Sequence, residues 1–363
     1  MRASSTSTAS STTSSLSSAS PLRAGTAEAA PPVGRSSSLS LFSGMNAKYL
    51  PLAATTILFV LMASLGSMLY PGFFSVQVFL NLLIDNAFLI IVAIGMTFVI
   101  LSGGIDLSVG SVVALSTMVL ATLVEQHGWS PLAAIPLVLV MGAIFGAFMG
   151  FLIHRFRLQP FVVTLAGMFL ARGLCYLISI DSITISHEGY SELAQWRLHL
   201  SESASLSLGA LIAIALLLAA IFVAHCTPFG RAVYAIGGSE SSALLMGLPV
   251  GRTLVGAYLL SGFCSALGGV VFTFYMLSGY GLHATGMELD AIAAVVIGGT
   301  LLTGGVGYVA GTLFGVLTLG IIQTLISFDG TLSSWWTRIV VGVLLLIFCL
   351  LQRVLARRPA SSV

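Results

Sequence analysis

Leu101-Ser-Gly-Gly-Ile-Asp-Leu-Ser-Val-Gly110 lies between two long apolar runs. Placing such a polar, glycine-rich stretch at a membrane boundary is costly, so it needs a structural or functional return. Its glycines let backbone approach closely, and Ser102, Asp106 and Ser108 can satisfy the free N–H groups of a following helix. A near-copy, Leu302-Thr-Gly-Gly-Val-Gly-Tyr308, recurs later in the chain. The pattern is that of a membrane protein assembled from related parts.

Composition supports this reading. Of 363 residues, 57% are hydrophobic and 7% charged, with a mean hydropathy of +1.05. A soluble domain is nearer a quarter charged, so no soluble core explains these values. Runs long enough to span a bilayer, about 20 residues each, fall at 51–70, 79–101, 108–125, 131–153, 160–180, 205–225, 253–277, 288–303, 307–327 and 335–352. The expected fold is all-α: a polytopic transmembrane helical bundle of about ten spans.

Charge sets the expected orientation, because basic residues concentrate in cytoplasmic loops. With both termini inside, Arg23, Arg35, Lys48, Arg155, Arg157, Arg231, Arg252, Arg353, Arg357 and Arg358 are inside, and Arg197 is left outside. The outer loops collect Glu125, Asp181, Glu188, Glu192, Glu202 and Asp329, and all four Trp fall near the outer face. Residues 1–46, rich in Ser, Thr and Ala, are too polar to fold and read as a disordered tail. Met45, just before the first span, is the expected true start. The remainder divides into a membrane domain, 47–353, and a cytoplasmic tail, 354–363.

Internal similarity matches Ile94-Gly-Met-Thr97 and Ser102-Gly-Gly104 with Ile297-Gly-Gly-Thr300 and Thr303-Gly-Gly305. Both copies join consecutive spans on the same predicted side, which suggests a parallel repeat. The longest cytoplasmic loop, 225–252, carries a second set of signals. Gly237 and Gly238 are expected to break the chain, Ser239 to cap a short helix starting at Glu240, and Gly247 with Pro249 to end it. A short helix held between breakers suits a partner's groove, although a helix lying on headgroups gives the same pattern.

Three segments in order carry a family resemblance: Gly103-Gly-Ile-Asp-Leu-Ser-Val-Gly110, Phe229-Gly-Arg-Ala-Val-Tyr-Ala-Ile-Gly-Gly238 and Ala293-Ala-Val-Val-Ile-Gly-Gly-Thr300. Together they resemble the permeases of bacterial monosaccharide ABC importers of the ribose type, over about residues 50–352. Within that family, Met287-Glu-Leu-Asp-Ala-Ile292 and Phe328-Asp-Gly-Thr-Leu-Ser-Ser-Trp-Trp336 look most like the galactofuranose importers. The resemblance implies an inner-membrane subunit that pairs with a second permease, a copy or a paralogue. It further implies cytoplasmic ABC ATPases, a periplasmic sugar-binding protein and a monosaccharide substrate, with no nucleic acid. The loop 225–252 would couple to the ATPase through Arg231, Gly237, Gly238, Glu240, Ser241, Ser242, Gly247 and Pro249. Glu240-Ser-Ser242 departs from the Glu-Ala-Ala of other importer families.

The chain itself supports a borrowed motor. Its only lysine, Lys48, follows no glycine loop, so no GxxxxGK[ST] phosphate cradle exists. ATP and Mg are expected on the partner ATPase, with no cofactor, metal or catalytic residue in this chain. The six His form no HExxH, and the four Cys form no CxxC.

Candidate pathway or gate residues are Asn86, Thr97, Ser102, Gly103, Gly104, Asp106, Ser108, Arg172, Glu288, Asp290 and Thr300. Each has a plainer reading beside it. Asp106, Glu288 and Asp290 suit helix N-termini, where carboxylates are stabilised by the dipole. Asp85 and Asn86 read as caps or as lining groups. Arg172, inside a span, must face protein or water, and an ion pair or subunit contact is preferred over sugar contact. Arg338 is expected to snorkel to headgroups or to pair with an acid. Two other classes stay open: an ion-coupled secondary transporter, which needs ionisable groups in mid-span, and an intramembrane hydrolase, for which GxGD, GxSG and HExxH are all missing.

Overall fold

The computed structural model describes residues 50–356 apart from 71, 74, 202–203 and 331–334. The tail 1–46, the start at Met45, Lys48, Glu202, the side chain of Arg353, and Arg357 and Arg358 lie outside the described residues.

The bundle opens with α1 (Leu50–Leu69), followed by α2 (Val76–Asp85) and α3 (Ala87–Leu101), which meet at a bend of 57°. After the glycine loop come α4 (Val109–Ala121), extended by a π-helical turn at Thr122–Gln126, then α5 (Pro131–Phe156) and α6 (Pro160–Ile178). A small capping region holds β1 (Ile183–Thr184), α7 (Glu188–Gln195), β2 (Arg197–Ser201) and β3 (Ala204–Ser207). The chain continues through α8 (Leu208–Cys226), α9 (Pro228–Gly238), α10 (Glu240–Leu245), α11 (Val250–Met276), β4 (Ser278–Gly279), α12 (Met287–Ile297), α13 (Val309–Asp329) and α14 (Trp335–Ala356).

Among the described residues, six helices are long and apolar enough to cross a membrane: α4 with its π turn, α5, α6, α8, α11 and α13. The bent pair α2–α3 makes a seventh crossing if counted as one span. Shorter apolar stretches, Ala53–Leu69 and Trp335–Leu350, lie within α1 and α14.

Helix α3 is the centre of the fold, with almost every residue from Ala87 to Leu101 buried. Uniformly apolar on all sides, it suits a position enclosed by other helices. It packs on α8, α11, α12 and α13. The tightest seam joins α5 to α11. Lipid tails are as apolar as leucine, so burial of apolar surface does not drive helices together in a bilayer; close backbone approach must do so. Gly142, Gly146 and Gly150 supply it, meeting Gly262, Tyr258 and Val255 of α11.

The short strands were not expected. β1 pairs antiparallel with β4, Ile183 opposite Gly279, and β2–β3 form a hairpin bulged between His199 and Ser201. Both lie at one end of the bundle, the hairpin end, where Gln77 of α2 accepts the Ser205 N–H at 3.0 Å. Loops 101–108, 298–308 and the α9–α10 segment gather at the opposite end.

Helix α12 is the irregular element. Gly279 lies against Thr117 and Ala121 of α4, whereas Glu288 and Ala284 lie against Gly110. From Thr117 to Gly110, at about 1.5 Å per residue, the chain descends about 10 Å into the bundle before α12 begins. With only 11 residues, α12 is a half-helix whose N-terminus starts inside the bundle.

Candidate functional site

At the α9–α10 end three glycine segments meet through backbone. The Gly305 N–H donates to the Leu101 carbonyl at 2.9 Å, and Tyr234 of α9 donates its hydroxyl hydrogen to the Gly307 carbonyl at 2.9 Å. Gly237 sits on both loops: a Cβ there would overlap the Leu101 oxygen and the Gly305 nitrogen. α9 ends on these two glycines and the chain breaks at Ser239, next to the expected position; Gly237 is also needed for close approach. A Cβ at Gly238 would meet nothing within 4 Å.

The two glycine loops share one helix-ending turn. Gly103 and Gly104 donate to Ile100 and Val99, and Gly299 and Thr300 donate to Val296 and Val295 in the same pattern. Gly103 (φ 86) and Gly299 (φ 93) occupy the left-handed position. The common turn thus pairs Gly103 with Gly299, not with Gly304 as the sequence match placed it. Gly304 and Gly305 are instead the surface against which Gly103 and Gly237 pack.

Helix α10 is capped as its sequence indicates: the Ser239 hydroxyl accepts the Ser242 N–H at 3.3 Å. Gly247 (φ 76) closes it, with Gly247 and Leu248 donating to Leu244 and Ala243. Ala243 is buried, while Leu244, Leu245 (90% exposed) and Met246 project outward. Glu240, Ser241, Ser242, Pro249 and Arg231 are also exposed. A cavity of about 730 Å³ separates α10 from the α5–α6 turn, lined by Ser102, Gly103, Gly104, His154, Glu240 and Ser241 among others.

Deeper in, Thr97 of α3 bonds the Thr312 hydroxyl of α13 at 2.8 Å, and Thr55 of α1 donates to the Ile297 carbonyl at the end of α12. Asp106 is 1% exposed. One of its oxygens accepts both the N–H (2.9 Å) and the hydroxyl (2.6 Å) of Ser108, and the other accepts the Ser261 hydroxyl from α11 at 2.7 Å. It ties the start of α4 to α11. Thr300 is wholly buried beneath Gly307. Glu288 packs on Gly110 with Oε2 buried and unpartnered.

Arg172 faces protein, as expected; among the described residues it forms no ion pair, and its guanidinium donates to the carbonyls of Gly281 and His283 at 2.6 and 2.8 Å. It clamps the descending loop that leads into α12.

Asn86 and Asp290 come together in a cavity of about 520 Å³, inside the roughly 300–1,000 Å³ of small-molecule sites. Asn86, at the α2–α3 bend, holds the Leu82 carbonyl at 2.9 Å. Asp290 pairs with Arg338 of α14 at 3.5 Å, so Arg338 meets an acid where headgroup snorkelling was the first expectation. The Arg338 guanidinium packs over Gly286, the N-cap of α12, a position whose helix dipole disfavours a cation. Gln323, Ser327, Thr337 and Trp335 complete the polar lining. Gln323, a polar residue in the apolar α13, was the signal that sequence reasoning passed over.

Residues 78–349 match the family model described as branched-chain amino acid transport system / permease component. The inner membrane ABC transporter permease protein YjfF of Escherichia coli strain K12 is 54% identical over 304 residues, 84% of this chain and 92% of that protein. The fructose import permease protein FruG of Bifidobacterium longum is 41% identical, covering 85% and 92%. The ribose import permease protein RbsC of Bacillus subtilis is 40% identical, covering 86% and 94%. No solved structure matches the chain. A helical bundle with an exposed capped helix at one end and a polar cavity within it is thus matched along nearly its whole described length, and the chain belongs to this family of ABC transporter permeases.

Proposed function

We propose that this chain is the multi-pass inner-membrane permease subunit of a monosaccharide importer, with galactofuranose as the favoured sugar. Permeases of this family are not enzymes, and ATP is hydrolysed by a separate subunit. The supporting observation is the cavity at the start of α12, where a carboxylate, a guanidinium, two amides and an indole surround one space. Those groups match the donors, acceptors and apolar faces of a sugar. The relatives named for ribose and fructose import support the same class, and the segments 287–292 and 328–336 favour galactofuranose.

In this reading the α9–α10 end and both termini face the cytoplasm. α10 seats Leu244, Leu245 and Met246 in a groove of the ABC ATPase, which binds ATP and Mg. A periplasmic sugar-binding protein delivers the sugar at the hairpin end, and a second permease, favoured as a paralogue, completes the pathway. The test is uptake into vesicles holding the reconstituted complex. ATP-dependent accumulation of galactofuranose above ribose and fructose is expected. Uptake by this chain alone, driven by an ion gradient, would replace the reading with a secondary transporter.

A further inference from the structure

The α2–α3 bend is a partition between two polar cavities. Asn86 and Leu89 face the cavity at α12, whereas Asp85 and Phe88 face a second one of about 590 Å³ beneath the β2–β3 hairpin. The second cavity is walled by Asn81, Asp85, Gln195, Arg197, Ser207 and Tyr275 among others. Among the described residues neither Asp85 nor Arg197 forms an ion pair or a side-chain hydrogen bond; the ion pair that is present joins Arg338 to Asp290. Both side chains are exposed, where water screens their attraction, so each stays open to a ligand in the cavity. Asp85 is carried on α2 and Arg197 on β2; the Gln77–Ser205 bond ties α2 to β3, which pairs with β2. The space between them is left with an acceptor on one side and a five-donor fork on the other. Phe88 and Tyr275, whose rings lie 6.3 Å apart, add apolar faces.

We infer that this second cavity is a vestibular binding site for a neutral polyhydroxylated monosaccharide, occupied before the sugar passes the α2–α3 bend to the cavity at α12. The inference rests on the sugar-permease reading and adds a site to it. A neutral polyol can accept from Arg197 and donate to Asp85 at once, and the amides of Asn81 and Gln195 extend the same pattern. A zwitterionic amino acid would also bridge an acid and a base, so the experiment must separate the two.

The experiment uses the reconstituted complex with Cys226 and Cys349 replaced by alanine; Cys175 and Cys264 are buried. Gln195→Cys reports on the vestibule and Ser327→Cys on the cavity at α12, each through its rate of labelling by a membrane-impermeant maleimide. Probes are D-ribose, D-fructose, D-galactose and L-leucine. A transported sugar is expected to slow labelling at both positions, with L-leucine inert. Asp85→Asn and Arg197→Gln are each expected to raise the sugar concentration for half-maximal uptake about tenfold, as loss of one charge-assisted hydrogen bond does. Sugar protection at Ser327→Cys alone, or protection of Gln195→Cys by L-leucine, overturns the vestibular site while leaving the permease reading intact. Absence of sugar uptake by the unaltered complex overturns both.

Discussion

The two ends of the bundle are joined in different ways. At the α9–α10 end, Leu101, Gly237 and Gly305 meet through backbone atoms, with no side chain between them. At the hairpin end, elements are held by side chains reaching across open polar space: Arg172 to two carbonyls, Arg338 to Asp290, and Gln77 to the hairpin. A backbone junction has no rotamers to absorb a displacement, so a push on α10 passes directly into α3 and the loop after α12. A side-chain network with cavities can rearrange around a solute. In the proposed reading, the first end would act as a rigid transmission and the second as an adaptable passage.

Several substitutions sharpen that contrast. The largest effect is expected at Gly237→Val, which drives a branched side chain into the Leu101 carbonyl. It should cost about 3 kcal/mol, the upper range for overpacking, and abolish sugar-stimulated ATP hydrolysis, read by thermal unfolding in detergent and by phosphate release. Gly238→Val, whose side chain would enter open space, should retain stimulation. Equal loss in the two variants would mean that glycine acts there through flexibility, not close approach. Next comes Gly247→Pro. Proline holds φ near −65°, incompatible with the observed +76°, so α10 should lose its end and ATPase stimulation should disappear while membrane insertion persists.

At the adaptable end, Asp290→Asn and Arg338→Gln should each reduce sugar uptake about tenfold, on the scale of one charge-assisted bond. The double variant should lose little more, because the two residues act as a pair. Full additivity would show that they serve the sugar separately. The smallest effect belongs to Thr97→Val, which removes the α3–α13 hydroxyl bond and should lower stability by about 1 kcal/mol with uptake nearly unchanged.

Local features were the most legible in the sequence. The Ser239 cap, the Gly247 stop and the apolar runs rest on interactions within a few residues, and those interactions leave a compositional trace. Long-range features were less so. Gly237-Gly238 reads as a break and α9 does end there, yet the packing of Gly237 on Leu101 and Gly305 left no trace in the sequence. Arg172 reads as having to face protein or water, but its partners, two loop carbonyls, could not be named because a carbonyl has no residue signature. The glycine repeat aligned on its most visible dipeptides, whereas the shared turn lies at Gly103 and Gly299. In the cavity at α12, Asn86 and Asp290 stood out as polar groups at helix ends; Gln323 and Arg338 join them only once α13 and α14 are folded alongside.

The most direct test is affinity purification of the tagged chain from mild detergent, with every co-purifying subunit identified, for the unaltered protein and for Leu245→Asp. The account predicts an ABC ATPase and a second permease with the unaltered chain, and selective loss of the ATPase when the exposed Leu245 of α10 becomes charged. An unaltered chain that purifies without an ATPase, or an ATPase retained undiminished by Leu245→Asp, would contradict it.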